Sequence, residues 1–243
     1  MLTENKYIVP AFILSVFFVI GVLIIGEAWR NHTRTNQTIT VTGSAKRMIV
    51  SDLGIIRANL NAQAAQLQDS YRDIRNQIPP LKEYLKSKGI SIDSLEFYAP
   101  TNYPIYEFTS TGIQTNRIIG YVWNQNFSIM SKDVAKIKEI SLELSQLVER
   151  GVNLQNIQPE YHYTKLAELK IEIQSEAAKD AMERARKIAE ATGSKLGRLR
   201  SARMGVLQIT PRFSNMISDY GINDLSSIEK EITAVVNAAF EIR

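Results

Sequence analysis

Residues Tyr7 to Gly26 read YIVPAFILSVFFVIGVLIIG and carry no charge. A helix rises about 1.5 Å per residue, so roughly 20 such residues match the hydrocarbon core of a bilayer. This run constrains the chain more than any other feature, because whatever follows must fold beside or beyond a membrane. A secretory signal has a shorter apolar core of about 7 to 15 residues, whereas Ile8 to Ile25 forms one almost unbroken block. An uncleaved anchor over residues 7–26 is expected, in contact with the lipid bilayer and preceded by a flank over 1–6. Gly26-Glu27-Ala28 leaves cleavage after Ala28 as the alternative, with small residues at the two positions a signal peptidase inspects.

The charges flanking this run give a weak and contrary orientation signal. Glu4 and Lys6 cancel before it, while Arg30 and Arg34 follow it against Glu27. Positive charge prefers the cytoplasmic side, but a large domain translocates largely regardless of its charge. The expected arrangement is single-pass, in the inner membrane, with residues 27–243 periplasmic or otherwise extracytoplasmic. That part keeps the net charge of +4, so no strong field selects a partner. The absence of cysteine excludes disulfide staples, thiol catalysis and cysteine-ligated metal. Asn31-His32-Thr33, Asn36-Gln37-Thr38 and Asn126-Phe127-Ser128 fit the glycosylation acceptor pattern, a short motif that arises often by chance.

Beyond the run, Trp29 to Gln37 is polar and aperiodic, reading as part of a tether over 27–37. Ile39 and Val41 alternate with threonines before Gly43, a strand signature. Ile56, Ala58, Leu60, Ala62 and Ala64 share one parity and Arg57, Asn59, Asn61 and Gln63 the other, so this strand has one packed and one wet face. From Leu67 the period becomes helical through Tyr71, Ile74, Ile78, Leu81 and Leu85. Pro79-Pro80 predicts a kink or break at Ile78, since proline removes a donor and clashes with the preceding turn.

The plan then recurs. Ile119, Tyr121, Trp123, Phe127 and Ile129 form a strand face, Ser131 is the expected N-cap, and Val134 to Leu147 gives a helical stripe ending at Gly151. Gly89 to Leu95 matches Gly151 to Ile157 as Gly, aliphatic, polar, aliphatic, two polar, aliphatic, at an offset of 62. Two strand-helix-strand units make a βαββαβ plan. The expected class is α+β: a ferredoxin-like sandwich core with an extended hairpin over Tyr98 to Tyr121, an additional Ala-rich helix and C-terminal strands, preceded by one transmembrane helix. The extra helix spans about Lys165 to Thr192, with Ala177, Ala181, Ala185 and Ala189 suited to close approach. Leu196 to Val206 reads as a strand, Pro211 to Ser227 as a loop, and Glu231 to Arg243 as a closing strand burying Ile232, Ala234, Val236, Ala238, Phe240 and Ile242.

Ile39-Thr40-Val41-Thr42-Gly43, Ile119-Gly120-Tyr121, Gly151, the Ala181 to Gly197 segment with Gly193 and Leu196-Gly197, and Val235 to Ile242 resemble, in order, the SIMPL domain, also called domain of unknown function 541. The resemblance covers nearly all of 39–243 and supports one domain over 38–243. It implies an α+β fold, an extracytoplasmic location and self-association, as in the similar bacterial periplasmic immunogenic protein, and relatives are linked to oxidative-stress defence. It implies no catalytic residues. The Pro79-Pro80 pair and the lack of a second glycine after Gly43 depart from the family pattern.

Chemistry is thinly represented. His32 and His162 have no cysteine or HExxH companions, so a zinc site is not expected. Ser227-Ile228-Glu229-Lys230 has the spacing of a serine-lysine acyl-transfer pair, but without its companion motifs it reads as loop capping. Gly193-Ser194-Lys195-Leu196-Gly197 lacks the order of a phosphate loop and reads as a helix exit. The basic group Arg184, Arg186, Lys187, Lys195, Arg198, Arg200, Arg203 and Arg212 reads first as a solvated face. Arg198, Arg200 and Arg203 are its candidates for contact with an anionic surface.

The aromatic set Tyr98, Tyr103, Tyr106, Phe108, Tyr121, Trp123, Tyr161 and Tyr163 offers sheet packing or a contact surface. Tyr103, Tyr106 and Phe108 are the self-association candidates. The expectation is a non-enzymatic, membrane-anchored envelope protein without cofactor that forms a homo-oligomer or binds an envelope protein or polysaccharide, in envelope or oxidative stress. The alternatives are a binding module for a small or anionic ligand and, third, an unrecognised hydrolase; an exported location disfavours nucleic acid.

Overall fold

The computed structural model describes residues 8–34 and 37–243. The first helix, α1, spans Ile8–Arg34. It is helical through Arg34 rather than an aperiodic tether from Trp29, because no proline or glycine interrupts it between Gly26 and Arg34. From Phe12 to Ile25 its large apolar side chains are exposed. Its side chains are described from Phe12 to Glu27 only, and among the described residues no helix is long and apolar enough to cross a membrane. The expected flank over 1–6 lies outside the described residues.

The rest follows as β1 (Thr38–Val50), β2 (Leu53–Ala64), α2 (Leu67–Ser87), β3 (Leu95–Phe97), β4 (Thr101–Phe108), β5 (Gln114–Ser131), α3 (Val134–Glu143), β6 (Leu154–His162), α4 (Leu166–Ala191), β7 (Leu196–Met204), β8 (Gln208–Pro211), β9 (Ile222–Asn223) and β10 (Glu229–Ile242). The stretch expected as one domain is distributed over two compact units. One comprises residues up to Lys46 with Lys170–Leu207 and Thr233–Arg243; the other comprises Arg47–Leu169 and Gln208–Ile232.

In the larger unit a sheet has the order β3-β5-β2-β6, with β4 also on β5. The β2–β5, β2–β6 and β3–β5 pairs are antiparallel. This is the order that the βαββαβ plan requires when β2-α2-β3 and β5-α3-β6 are its two units. Ile56, Leu60, Phe127 and Ile129 pack with Ile74, Leu81 and Leu85 of α2 and Ile137 and Ile140 of α3 in one buried cluster. Hence both helices cover the apolar parity of the sheet and leave the polar parity to solvent.

The internal repeat has a backbone cause. Gly89 and Gly151 are left-handed, with φ of 72° and 77°. The next residue in each case donates its N–H five positions back, Ile90 to Leu85 at 3.0 Å and Val152 to Leu147 at 3.1 Å. Both helical stretches therefore end in the same glycine-dependent cap, and Ile90 and Val152 drop into the core.

Local details depart from expectation. Of the kink or break expected at Ile78, the break does not occur: α2 is continuous through Pro79 and Pro80. The carbonyls the prolines leave without a helical donor, on Arg75 and Asn76, belong to exposed residues, where solvent is available to replace the lost bonds. The N-cap of α3 is Asp133, whose carboxylate accepts from the Lys136 N–H at 3.0 Å, while Ser131 Oγ accepts from Asp133 N–H at 3.1 Å. The loop expected over Pro211 to Ser227 contains β9, which runs parallel to β8.

In the smaller unit β1 continues through Gly43 instead of ending there. A Cβ on Gly43 would lie 2.3 Å from both Ala177 O and Ala181 N, so α4 lies directly on this strand. Ala177, Ala181 and Ala185 are fully buried, as the four-residue alanine spacing predicts. Ser44 N–H donates to Asp180 Oδ2 at 2.8 Å and fixes the height of the contact. On β10, Ala234, Val236, Ala238 and Phe240 are buried, but Glu241 replaces Ile242 as the next inward residue. The β7–β10 register slips on both sides of Phe240, which reverses the alternation there.

Candidate functional site

The polar face of the larger unit's sheet is built by register. Arg57, Asn59 and Asn61 on β2 stand opposite Ser128, Asn126 and Asn124 on β5. Asn59 Nδ2 donates to Asn126 Oδ1 at 2.7 Å, and Asn61 Nδ2 donates to Asn124 Oδ1 at 2.8 Å. The β6 edge carries a bulge, since Arg57 and Asn59 pair with Gln158 and Gln155. Asn156 lies within it at a φ of 53°, a left-handed conformation costing a non-glycine residue about 1 kcal/mol. The bulge brings an exposed amide to the face.

Tyr98 closes the other side. Its N–H donates to Asn126 O at 3.0 Å, its hydroxyl lies 3.2 Å from Ser128 Oγ, and its carbonyl accepts from the Gln125 amide. Arg57, Asn59, Tyr98, Asn126, Asn156 and Gln158 thus line a shallow cleft. Arg57 is paired with Glu160, and Glu160 Oε2 also lies 3.2 Å from His162 Nε2. His162 occupies the last position of β6. Asn59 Oδ1 is shut off from solvent without a hydrogen-bond partner.

The hairpin of β4 and β5 forms as expected, with Thr101 opposite Asn124 and Phe108 opposite Gln114. Tyr103 is 52% exposed and Phe108 61%, while Tyr106 is half-buried. Ile113, Ile118 and Ile119 add exposed apolar surface to the same ribbon. Elsewhere in the aromatic set, Tyr161 is buried and the Trp123 ring packs 5.0 Å from that of Tyr71.

Much of the basic group is neutralised locally. Arg184 pairs with Asp180 at 2.7 Å, Arg186 with Glu183 at 2.8 Å and Arg212 with Glu229 at 2.9 Å. Arg200 pairs with Glu241, which also meets Arg243. Burial pushes the Glu241 carboxyl upward, but the Arg198 N–H and the two guanidinium groups outweigh it and hold the carboxyl below its ordinary range. Arg203 lines a shallow depression with Thr40, Ser201 and Asn237. Arg198 and Arg203 have exposed side chains, whereas Arg200 is committed to Glu241.

Sequence pattern signals neither the burial of Lys230 nor a second feature. Lys230 is only 2% exposed, and its Nζ donates to Tyr161 O at 2.6 Å and to Asp224 O. Ser227 instead donates its N–H to Asp224 Oδ2 at 3.2 Å, so Lys230 secures the loop through backbone carbonyls. The second feature is the loop after β8, where Phe213, Ile217 and Tyr220 are exposed, Tyr220 at 97%. Gly193, at a φ of 71°, ends α4, and Ser194 N–H donates to Ala189 O at 2.8 Å, as expected for a helix exit. Among the described residues, no three histidine, aspartate or glutamate side chains gather to hold a metal.

A mixed α+β chain with a βαββαβ core, a glycine-aligned alanine helix and a long hairpin is the class these observations define. The family SIMPL, proteins of unknown function (DUF541), matches residues 39–240, and the chain belongs to it. No curated protein matches the chain.

Proposed function

We propose that this chain is a non-enzymatic, membrane-anchored envelope protein whose folded part assembles with further copies of itself. The carrying observation is the β4–β5 ribbon, which exposes Tyr103, Phe108, Ile113, Ile118 and Ile119. Solvent-exposed aromatic and aliphatic side chains on a two-stranded extension are marginal in water, and among the described residues β4 bonds to β5 alone, leaving an edge for pairing. A second copy satisfies both needs with one symmetric contact. For the full-length chain in detergent, light scattering coupled to size exclusion should give a protein mass of at least a dimer. Changing Tyr103 and Phe108 to serine should return the monomer mass. A monomer before substitution, across micromolar concentrations, would overturn the assembly reading.

The anchor reading draws on the uncharged run from Tyr7 to Gly26 and on the exposed apolar side chains of α1. As a sequence, the 20 residues of this run would rise about 30 Å as a helix, the thickness of a hydrocarbon core. The chain should stay in the membrane pellet after alkaline carbonate washing, and a reporter that works only outside the cytoplasm should be active at Arg243. Release into the wash would remove the anchor; activity of a cytoplasm-only reporter would reverse the orientation.

Contact with an anionic envelope component is a second, weaker reading, carried by Arg198 and Arg203 with Arg200 already paired to Glu241. A role in envelope or oxidative stress rests on the family resemblance.

A further inference from the structure

We propose that the cleft lined by Asn59, Tyr98, Asn126 and Asn156 binds a neutral glycan. This goes beyond the assembly reading and stands without it, because the two rest on different side chains. Three features define the ligand's chemistry. First, the face is built from amides, each offering a donor and an acceptor a few ångströms apart, the spacing of neighbouring sugar hydroxyls. The Asn59–Asn126 bond uses one donor and one acceptor of that pair, and Asn59 Oδ1 is left as a buried, unmet acceptor. Turning the Asn59 amide toward the cleft would give up its bond to Asn126 Oδ1 and offer both freed groups to an entering hydroxyl.

Second, the cleft has an aromatic margin that is held in place. Tyr98 is 45% exposed, yet its N–H, hydroxyl and carbonyl are all engaged. A fixed, half-exposed ring supplies the apolar surface on which the C–H face of a pyranose stacks, at little entropic cost. Third, the charge is cancelled. Arg57 is spent on Glu160, so the cleft contains no unpaired cation to favour a phosphate or carboxylate. Among small polar ligands, this selects a polyhydroxylated neutral one. The left-handed Asn156 points the same way, since a glycine would hold that backbone with less strain but present no amide.

The test is calorimetry on the full-length chain in a detergent without a sugar headgroup. Soluble cello-, malto- and chitotetraose are titrated separately, with inorganic phosphate as the anionic control. At least one tetrasaccharide should give a saturable isotherm and phosphate none. Tyr98→Ala should weaken binding at least tenfold. Asn156→Gly should weaken it by a similar factor while the melting temperature stays level or rises, a combination that a purely structural role for Asn156 does not produce. Sedimentation with insoluble cellulose, amylose and chitin then separates a polymer ligand, retained on its solid, from a free oligosaccharide, which is bound only in solution. No heat with any tetrasaccharide, saturable binding of phosphate instead, or affinity unchanged in both variants would overturn the proposal.

Discussion

Replacing Gly43 with alanine should destabilise the folded chain by about 3 kcal/mol, at the upper end of what overpacking costs. One methyl group suffices because the added carbon would sit 2.3 Å from Ala177 O and Ala181 N and 2.7 Å from Ala181 Cα. All three are backbone atoms of a helix, so no side-chain rotation relieves the clash and α4 has to move. Such a shift strains the Ser44 N–H bond to Asp180 Oδ2. A loss of that size lowers the melting temperature of a chain this long by roughly 6 to 12 °C. Ala181→Leu probes the same contact from the other side and should cost about 1 to 3 kcal/mol, since a side chain has some freedom to lean away. Gly205→Ala is the control: its added carbon meets Val235 O at 3.4 Å, ordinary contact, and its stability should be close to wild type. Equal melting temperatures for Gly43→Ala and Gly205→Ala would mean that α4 does not rest on β1 at this height.

Gly43 also marks the boundary between what sequence pattern carries and what it does not. Alternation on β2 and the three-to-four spacing of α2 are properties of one segment, so they are readable before any partner is known. The same holds for Gly89 and Gly151, where the left-handed cap is imposed by the helix that precedes it. Gly43 is ambiguous, since a glycine after an alternating threonine strand reads as a strand end until a helix some 130 residues later is seen to require its missing side chain. Arg200 reads in sequence as an outward charge for a related reason. Its partner Glu241 turns inward only because the β7–β10 register slips around Phe240, and a slip belongs to a pair of strands rather than to either one.

The polar cleft shows the same division. Its amides were visible as the wet parity of β2, but their pairing with β5 and the Asn156 bulge depend on register. The absence of a break at Pro79-Pro80 has a different reason. The cost of a proline in a helix depends on whether the freed carbonyls can reach water, and their exposure is set by the packing of α2 as a whole.

Lys230→Met should cost about 2 to 3 kcal/mol, because methionine fills similar space but leaves the carbonyls of Tyr161 and Asp224 without donors in a buried setting. The melting temperature should fall by roughly 4 to 12 °C. The dependence on pH separates this clamp from simple packing. Burial pushes the Lys230 ammonium below its ordinary value of 10.5, against the upward pull of the Asp224 carboxylate. Between the lowered folded value and 10.5 the unfolded chain binds more protons than the folded one, so this lysine's contribution to stability grows as pH rises. It is complete above 10.5 and is lost as pH falls through the folded value. A neutral amine keeps two N–H donors, which match the two carbonyls it serves. The gap in stability between wild type and Lys230→Met should therefore widen from neutral pH toward 10.5, a change that common titrations of other groups cancel out of. Denaturant unfolding of both chains across that range measures it. A gap that stays constant, or narrows, would mean that burial does not disfavour the Lys230 ammonium, while a stability of Lys230→Met equal to wild type at every pH would mean that its two carbonyl bonds do not hold β6 to the start of β10.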